Sequence, residues 1–435
     1  MHFDLSFPRP IRRIFFRLTI ALIVSCASVF ASADNWPNWR GPNGNGTAAT
    51  ADGSGVYPTK WSTTDNVAWK FEIPGQGSST PAVWGDNIFL TAVTDKENIA
   101  ICVGTDGKKR WQVELGESKG GKHKKATGAN PSPITNGEHV YFYFKSGDFA
   151  CLDFEGNIVW HNNLEDEFSG NTLWWDLGTS PVLADEKIIV ACQQEGPSFV
   201  AAFDIATGKS IWKQSRQFTV PKEAEQSYTT PVVDKSNEAV IVLGADHVTA
   251  HRLSDGEEIW RYTDLNPENK KFFRSISSPV LTDGVLLAPY ARGDSLTAIK
   301  LGGTGDITDT HVAWTFDKAA DVPTPAVSGD RVFVCRDSRD AICLDKNSGE
   351  VIWEGKLDKR KTAFSASPSV ADGKVYFTRE DGTTYVVKDA DEFELLATNT
   401  VDEQTVATPV LVNGKVLQRT LTSLYCFEQK DGAEK

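Results

Sequence analysis

The chain has 435 residues, of which 40% are hydrophobic, 24% charged and 10% aromatic, and its formal net charge is -13. This apolar fraction can build a core, which excludes a wholly disordered chain, and the acidic balance argues against a general nucleic-acid-binding protein, which would carry a basic surface. The 35 Gly, 20 Pro and 13 Trp residues indicate many turns and regularly placed aromatic side chains, as in a β-rich protein.

The first 33 residues resemble a signal peptide. Four arginines precede an apolar run over 18–30, and the small residues Ala31-Ser32-Ala33 follow it. The run is too short for a typical transmembrane helix, and no later segment is long and apolar enough for one. We therefore predict cleavage after Ala33 and an exported protein, periplasmic or extracellular, without a transmembrane segment. A lipid anchor at Cys26 and a twin-arginine signal around Arg12-Arg13 are the alternatives.

Residues 34–60 precede the repeated part of the chain and contain Trp36, Trp39 and Arg40. We expect this segment to lie as a strap over the domain that follows. A docking plug formed by the two tryptophans and the arginine is the alternative.

A hydroxyl residue, a proline and an aliphatic strand recur at intervals of 41 to 52 residues over the rest of the chain. The eight prolines are Pro81, Pro133, Pro181, Pro231, Pro279, Pro325, Pro368 and Pro409. Within each copy the order is a proline strand, a Gly turn, an aliphatic-aromatic strand, a third strand, a second Gly turn and, in most copies, a strand with Trp. Four short strands repeated eight times predict an all-β fold, an eight-bladed β-propeller of four-stranded antiparallel blades over residues 61–430.

Two copies depart from this pattern. The eighth supplies only three strands, and the lone strand Val67–Phe71 precedes the first proline strand, so we expect this N-terminal strand to complete the last blade and close the ring. The seventh copy has Phe393-Glu394-Leu395-Leu396 where Trp is expected, and we interpret it as a full blade packed by Leu.

Six cysteines follow the predicted signal, and four of them occupy the same position in the third strand of a repeat: Cys102, Cys151, Cys343 and Cys426. This placement favours buried free thiols. If a disulfide forms, Cys335 and Cys343, which flank a predicted hairpin, are the best candidates.

The Thr-Gly-Lys-x-x-Trp turn at 207–212 and the Ser-Ser-Pro strand at 277–279 resemble PQQ-like repeats, over roughly residues 61–428. Asn35-Trp36-Pro37-Asn38-Trp39-Arg40 is similar to the leader of secreted planctomycete propellers of this family. The resemblance implies an eight-bladed ring, as in quinoprotein dehydrogenases and BamB-like assembly proteins. Enzymes of the first kind also have an adjacent Cys pair, a calcium site and a catalytic Asp. This chain has no adjacent Cys pair and no Asp that a motif matches to the catalytic one, so no cofactor is assigned, and PQQ with calcium lacks the motifs it requires.

Candidate ligand-binding residues lie on the predicted top face, where the inter-blade loops and the hairpins between second and third strands meet. Cations recur at these hairpins or in the neighbouring loops: Lys145, Arg274, Arg292, Arg336, Arg379 and Arg419. Together they could form a partial positive ring that attracts an anionic ligand or an acidic surface, or each could be a solvated turn residue. Trp174 and Trp175 lie in the loop before the third proline strand and could stack on a planar ligand or a sugar, or pack locally.

Motifs for zinc proteases, phosphate-binding loops and serine hydrolases are missing from the sequence, and no metal or catalytic residue is assigned. The sequence therefore favours a non-catalytic binding or scaffold module of the cell envelope, expected to be a monomer, with an envelope protein or a small ligand on the top face and no nucleic-acid partner. A PQQ-dependent quinoprotein dehydrogenase and a carbohydrate- or peptide-binding propeller are the alternatives.

Overall fold

Each proline repeat forms one antiparallel blade in the computed structural model, which describes residues 1–3, 34–49 and 56–430. The predicted signal, including Cys26, falls almost entirely outside these residues. Each inner strand begins just after the repeat proline, whose missing N–H is tolerated at the first position of an edge strand. Eight such sheets surround one axis, so the predicted all-β, eight-bladed propeller is confirmed.

The first four blades follow one another along the chain. Blade 1 consists of β2 (Ala82–Trp84), β3 (Asn87–Val93), β4 (Glu97–Gly104) and β5 (Lys109–Glu117). Blade 2 consists of β6 (Ile134–Thr135), β7 (His139–Tyr143), β8 (Asp148–Asp153) and β9 (Ile158–Asn163). Blade 3 consists of β10 (Val182–Ala184), β11 (Lys187–Cys192), β12 (Phe199–Asp204) and β13 (Ser210–Ser215). Blade 4 consists of β14 (Val232–Asp234), β15 (Ala239–Gly244), β16 (His247–Arg252) and β17 (Glu258–Tyr262), extended by the short parallel strand β21 (Gly305–Asp306).

The remaining four blades complete the ring. Blade 5 consists of β18 (Val280–Thr282), β19 (Val285–Tyr290), β20 (Ser295–Lys300) and β22 (Val312–Phe316). Blade 6 consists of β23 (Ala326–Ser328), β24 (Arg331–Cys335), β25 (Asp340–Asp345) and β26 (Val351–Lys356). Blade 7 consists of β27 (Ser369–Ala371), β28 (Lys374–Thr378), β29 (Thr383–Lys388) and β30 (Leu395–Thr400). Blade 8 consists of β31 (Val410–Val412), β32 (Lys415–Arg419), β33 (Ser423–Glu428) and the N-terminal strand β1 (Val67–Glu72).

The described helices are short: α1 (Leu164–Glu167) and two 3-10 turns, Lys235–Asn237 and Ala291–Gly293. In the part of the chain that the structure describes, no helix has the length and apolarity needed to cross a membrane.

Strand β1 closes the ring as expected. It pairs antiparallel with β33, with Trp69 opposite Cys426 and Phe71 opposite Leu424. Because β1 pairs with β33, the third strand of blade 8 has no unpaired edge, and β1 becomes the outer strand of that blade.

Outer-strand tryptophans join neighbouring blades at the face opposite the inter-blade loops. The indole N–H of Trp160 in blade 2 donates to the carbonyl oxygen of Ile205 in blade 3 at 2.8 Å. A Cβ added at Gly208 would lie 2.6 Å from the Trp160 ring, so only glycine permits this approach. Equivalent indole bonds run from Trp69, Trp111, Trp212, Trp314 and Trp353 to the following blade. In blade 7 the corresponding position of β30 is Ala397, opposite Val386, and Leu396 packs into the core beside it.

Substituting Gly208 by Ala should destabilise the protein by about 3 kcal/mol, because the added methyl group meets the Trp160 ring and the backbone has φ +69°. Gly284 has a similar φ of +77° and no atom within 4 Å of an added Cβ, so Gly284→Ala isolates the backbone cost of about 1 kcal/mol. Urea unfolding of the two variants measures the difference. Equal losses of stability would show that the tryptophan contact contributes little.

The six cysteines among the described residues are buried free thiols. Cys343 lies opposite Phe333, and Cys335 lies opposite Ala341, so the two candidates for a disulfide are out of register across the β24–β25 pair. No bridge joins them in this structure.

Candidate functional site

A cavity of about 480 Å³ opens at the centre of the top face. The top face carries the inter-blade loops and the hairpins that join the second and third strands of the blades. All eight inter-blade loops contribute lining residues, because the rigid ring directs every loop toward one axis.

A closed circle of hydrogen bonds surrounds this cavity. It is made by the residue before each repeat proline, whose hydroxyl oxygen accepts a backbone N–H of the preceding blade at 2.8 to 3.3 Å. We call these residues the hydroxyl ring: Thr80, Ser132, Ser180, Thr230, Ser278, Thr324, Ser367 and Thr408. The eighth bond runs from the Thr408 N–H to Thr80 Oγ1, which joins the last blade to the first.

The segment 34–49 lies below the hydroxyl ring, along the inner strands. Trp36 bridges Val83 of blade 1, and Thr47 bridges Val370 of blade 7. Arg40 is buried, and its guanidinium donates to the carbonyl oxygens of Pro325 and Pro368 at 2.6 and 3.0 Å. Desolvation by burial lowers the pKa of Arg40 to about 9.

Trp39, the next tryptophan of the same segment, lines the cavity together with the hydroxyl ring, and the Arg40 guanidinium lies 5.5 Å from its ring centroid. The segment 34–49 thus contributes one aromatic side chain, Trp39, to the cavity.

One wall of the cavity is aromatic and carries an unpartnered carboxylate oxygen. Trp175 is 45% exposed, and its ring meets His123 edge-on at 5.5 Å between centroids. The next residue, Asp176, is 4% exposed, and its Oδ1 accepts the N–H of Leu177 at 2.8 Å and lies 3.4 Å from Lys145 Nζ. Its Oδ2 has no hydrogen-bond partner among the described residues.

Another part of the cavity wall is an ionic network. Arg274 lies 3.3 Å from Glu223 and 2.7 Å from Asp321, and Arg292 shares Glu223 at 3.2 Å. Each carboxylate comes from a different inter-blade loop, so the network ties neighbouring blades together.

A further ion pair reaches over the mouth of the cavity. Lys125, in the loop between blades 1 and 2, lies 2.6 Å from Glu380 in the hairpin of blade 7. Ser365 also donates to Glu380, at 2.5 Å.

The structure does not bring the six predicted cations together. Only Arg274 and Arg292 line the cavity. Lys145 points into the protein toward Asp176 and the carbonyl oxygen of Gly120. The six side chains do not gather into the expected positive ring, because separate carbonyl oxygens and carboxylates of the protein hold them.

Three of the predicted arginines act as clamps between chain segments. Arg336 donates to the carbonyl oxygens of Ala319 and Gly293, at 3.2 and 3.5 Å. Arg379 is fully buried, donates to three carbonyl oxygens and stacks 4.3 Å over the ring of Phe364. Arg419 is fully buried at the junction of blades 8 and 1.

The two neighbouring tryptophans face different spaces. Trp175 lines the central cavity, whereas Trp174, 43% exposed, lines a separate groove of about 560 Å³ on the top face with Val220, Pro221 and Phe272. Phe272 is 64% exposed. The sequence placed both tryptophans in a loop but carried no signal of which way each one points.

Sequence reasoning used the hydroxyl-Pro repeat only to count blades and missed its place in the site. The signal was available, because all eight copies retain a Ser or Thr directly before the proline. Asp176 carried no such signal, since its burial depends on tertiary packing, including its contact with Lys145 in the hairpin of blade 2.

The pKa of a partly buried carboxyl group beside the ionic network is raised. Desolvation first, and repulsion by Asp321 second, raise the pKa of Asp337 to about 6. Its Oδ1 accepts the N–H groups of Asp321 and Val322 at 3.0 and 3.4 Å. A carboxyl whose pKa is higher in the folded than in the unfolded state contributes stability at low pH that is lost as the pH rises to its folded pKa.

The variant Asp337→Asn should therefore remove a fall in stability between about pH 4 and pH 6, because its Oδ1 keeps both N–H bonds and carries no charge. Urea unfolding at several pH values, compared with the parent protein, measures this slope. The expectation fails if both proteins show the same pH dependence in that window.

The cavity does not provide the groups that the family resemblance implies for PQQ with calcium. The cysteines of the described residues lie on separate strands, so none are adjacent. Burial raises the pKa of Cys192 to about 12, which keeps that thiol protonated at neutral pH. Within 34–49 and 56–430, no three His, Cys, Asp or Glu side chains are grouped so that they could hold a metal ion.

Comparison with known proteins places this ring in a family. The family model described as outer membrane protein assembly factor BamB matches residues 34–262 and 306–394. The outer membrane protein assembly factor BamB of Salmonella typhimurium strain LT2 is 21% identical over 376 residues, which cover 74% of this chain and 89% of that protein.

Solved structures show the same fold at lower identity. BamB from Moraxella catarrhalis superposes with a TM-score of 0.62 at 14% identity, over 83% of this chain and 99% of that one. A europium-containing methanol dehydrogenase gives 0.71 at 11% identity, over 91% and 98% of the two chains. The quinohemoprotein alcohol dehydrogenase of Comamonas testosteroni gives 0.67 at 12% identity, over 92% and 82%. Because the family model matches well over half of the chain, this protein belongs to the PQQ-like repeat family of β-propellers described as outer membrane protein assembly factor BamB.

Proposed function

We propose that this protein is an exported, non-catalytic binding module that holds an envelope protein on its top face. The groove beside the cavity carries the proposal, because Trp174 and Phe272 are 43% and 64% exposed there and line it together. Exposed apolar patches of this kind mark protein-binding surfaces. The assembly role in the name of the Salmonella relative supports the same reading.

Two ion pairs hold the loop beside the groove in place. Glu223 lines the groove and is held by both Arg274 and Arg292. The two ion pairs, at 3.3 and 3.2 Å, fix the position of this carboxylate. Its place is structural, fixing the loop that presents Pro221.

Site-specific photo-crosslinking in the source organism tests this function. A photoreactive amino acid at position 272 should give discrete products with envelope proteins, whereas position 350, in an exposed Gly turn of the opposite face, should give none. Adding Trp174→Ala to the position-272 protein should remove the products, because the groove loses its largest apolar side chain. The proposal fails if both positions crosslink equally, or if position 272 gives no product.

Export forms part of the same proposal and has its own test. The backbone N–H of Asp34 donates to Asn413 Oδ1 at 2.8 Å, and an amino terminus created by cleavage after Ala33 retains a donor at this place. We expect the mature protein from the source organism to begin at Asp34 when its terminus is sequenced. A terminus at Met1, or a lipid on Cys26, would contradict this expectation.

The quinoprotein alternative has a direct test. PQQ and calcium added to the purified protein should produce neither an absorbance change nor dye reduction with alcohols or sugars. Either signal would favour a dehydrogenase over the binding module.

A further inference from the structure

The hydroxyl ring presents hydrogen-bond donors to the central cavity. Each of its eight oxygens already accepts one backbone N–H. None of the eight hydroxyl groups donates to a protein acceptor among the residues that the structure describes, although each is at least 94% buried. A buried hydroxyl without an acceptor costs free energy, so the ring favours an occupant that brings acceptor atoms.

The aromatic wall, in contrast, favours an occupant that brings a hydrogen-bond donor. Asp176 lines the cavity at 4% exposure, and its unpartnered Oδ2 is an acceptor. A simple inorganic anion has no donor for this oxygen, whereas a simple cation has no acceptor for the hydroxyl ring.

The cations around the cavity are already neutralised. Lys125 is paired with Glu380, Arg274 with Glu223 and Asp321, and Lys145 with Asp176. Since Arg292 also contacts Glu223, no cation among these is left over for an anionic ligand. The occupant is therefore neutral and carries donors and acceptors together.

Trp175 adds an apolar surface for this occupant. Its ring is 45% exposed at the cavity, beside Asp176, and His123 supports it edge-on. The faces of aromatic rings pack well against flat C–H surfaces. The cavity volume of about 480 Å³ is in the range of small-molecule sites, roughly 300–1,000 Å³.

We propose that the central cavity binds a neutral sugar unit, with its hydroxyl groups bonded to the hydroxyl ring and to Asp176 Oδ2 and its C–H face against Trp175. Sugar hydroxyls are both donors and acceptors, which matches the two unsatisfied sets of groups. This inference goes beyond the proposed protein-binding role, because the groove at Trp174 is a separate space.

Titration calorimetry of the exported protein tests the proposal. The probes are glucose, galactose, mannose and N-acetylglucosamine and their β-linked disaccharides, with glucuronate and glucosamine as charged counterparts. We expect at least one neutral sugar to bind, and its charged counterpart to bind about tenfold more weakly or less, a ratio that corresponds to about 1.4 kcal/mol.

Two neighbouring tryptophans provide a matched pair of variants. Trp175→Ala should weaken binding of the neutral sugar about tenfold or more, whereas Trp174→Ala, of nearly equal exposure, should leave it within about twofold. Crosslinking at position 272 should show the reverse dependence, so failure of sugar binding and failure of protein binding are distinguishable.

Two further variants address the polar groups. Ser278→Ala removes one ring hydroxyl, and Asp176→Asn replaces the acceptor charge while keeping the side-chain volume; each should weaken sugar binding several-fold, with folding checked by thermal unfolding. The proposal is overturned if no neutral probe binds, if only glucuronate binds, or if Trp174→Ala and Trp175→Ala weaken binding equally.

Discussion

Arg419→Met should lower the free energy of unfolding by about 3–5 kcal/mol, because the residue is fully buried and hydrogen-bonded. The Arg419 side chain is fully buried at the closure of the ring, where its guanidinium donates to Ser79 O at 2.9 Å and also to Ser79 Oγ and Thr91 O. Among the residues that the structure describes, no carboxylate pairs with it, and desolvation by burial lowers its pKa to about 9. Methionine fills a similar volume but leaves these oxygens buried without donors. The free-energy cost of the unsatisfied acceptors exceeds the packing energy that methionine retains.

Urea unfolding followed by tryptophan fluorescence measures this loss. Arg252→Met is the control, because the Arg252 side chain is 42% exposed and pairs with Asp255 and Glu257 at the surface, where such pairs contribute little. We expect the control to lie within about 0.5 kcal/mol of the parent protein. If the two variants lose similar stability, the clamp at the ring closure is unimportant.

Trp36→Ala should cost about 3–5 kcal/mol and release the N-terminal strap from the inner strands. Trp36 is fully buried, and its backbone N–H and C=O both bond to Val83 of blade 1. The indole also packs under Gly41, where an added Cβ would lie 3.0 Å from the ring. Truncation leaves a large cavity and removes the contact that holds the segment in place.

Limited proteolysis and urea unfolding together measure both consequences. Protease should cut the variant within 34–49 before it cuts the blades, whereas the parent should resist cutting there. Asn43→Ala, an exposed change in the same segment, should resemble the parent in both measurements. A variant that loses stability while the segment stays protected would show that Trp36 stabilises the core without holding the strap.

The blades could be predicted from the sequence because each one is encoded locally. The proline, the Gly turns and the alternating apolar strands all lie within about fifty residues, and the pairing of neighbouring strands follows from short connections. Even the long-range closure by β1 was predictable, since the eighth repeat lacked one strand and the chain before the first repeat supplied it.

The directions of the cationic side chains on the top face could not be predicted in this way. Arg274, Arg336 and Arg379 all belonged to the predicted top face, but only Arg274 lines the cavity. Arginine in a loop near an axis can point to solvent or satisfy buried carbonyl oxygens, and its neighbours in sequence do not distinguish the two. The carbonyl groups that capture Arg379 come from Ser338, Asp358 and Thr362, and they face it only after blades 6 and 7 have packed.

The sequence by itself determined the all-β ring, the number of its blades and the face on which the loops gather, because those depend on local periodicity and chain order. Only the tertiary structure decided which side chains reach the axis. Trp174 and Trp175 are adjacent in the chain and nearly equally exposed, yet they face different spaces. The unsatisfied hydrogen-bonding groups of the hydroxyl ring and of Asp176 likewise result from burial in the folded ring. A polar group lacks a hydrogen-bond partner only when water has been excluded from it.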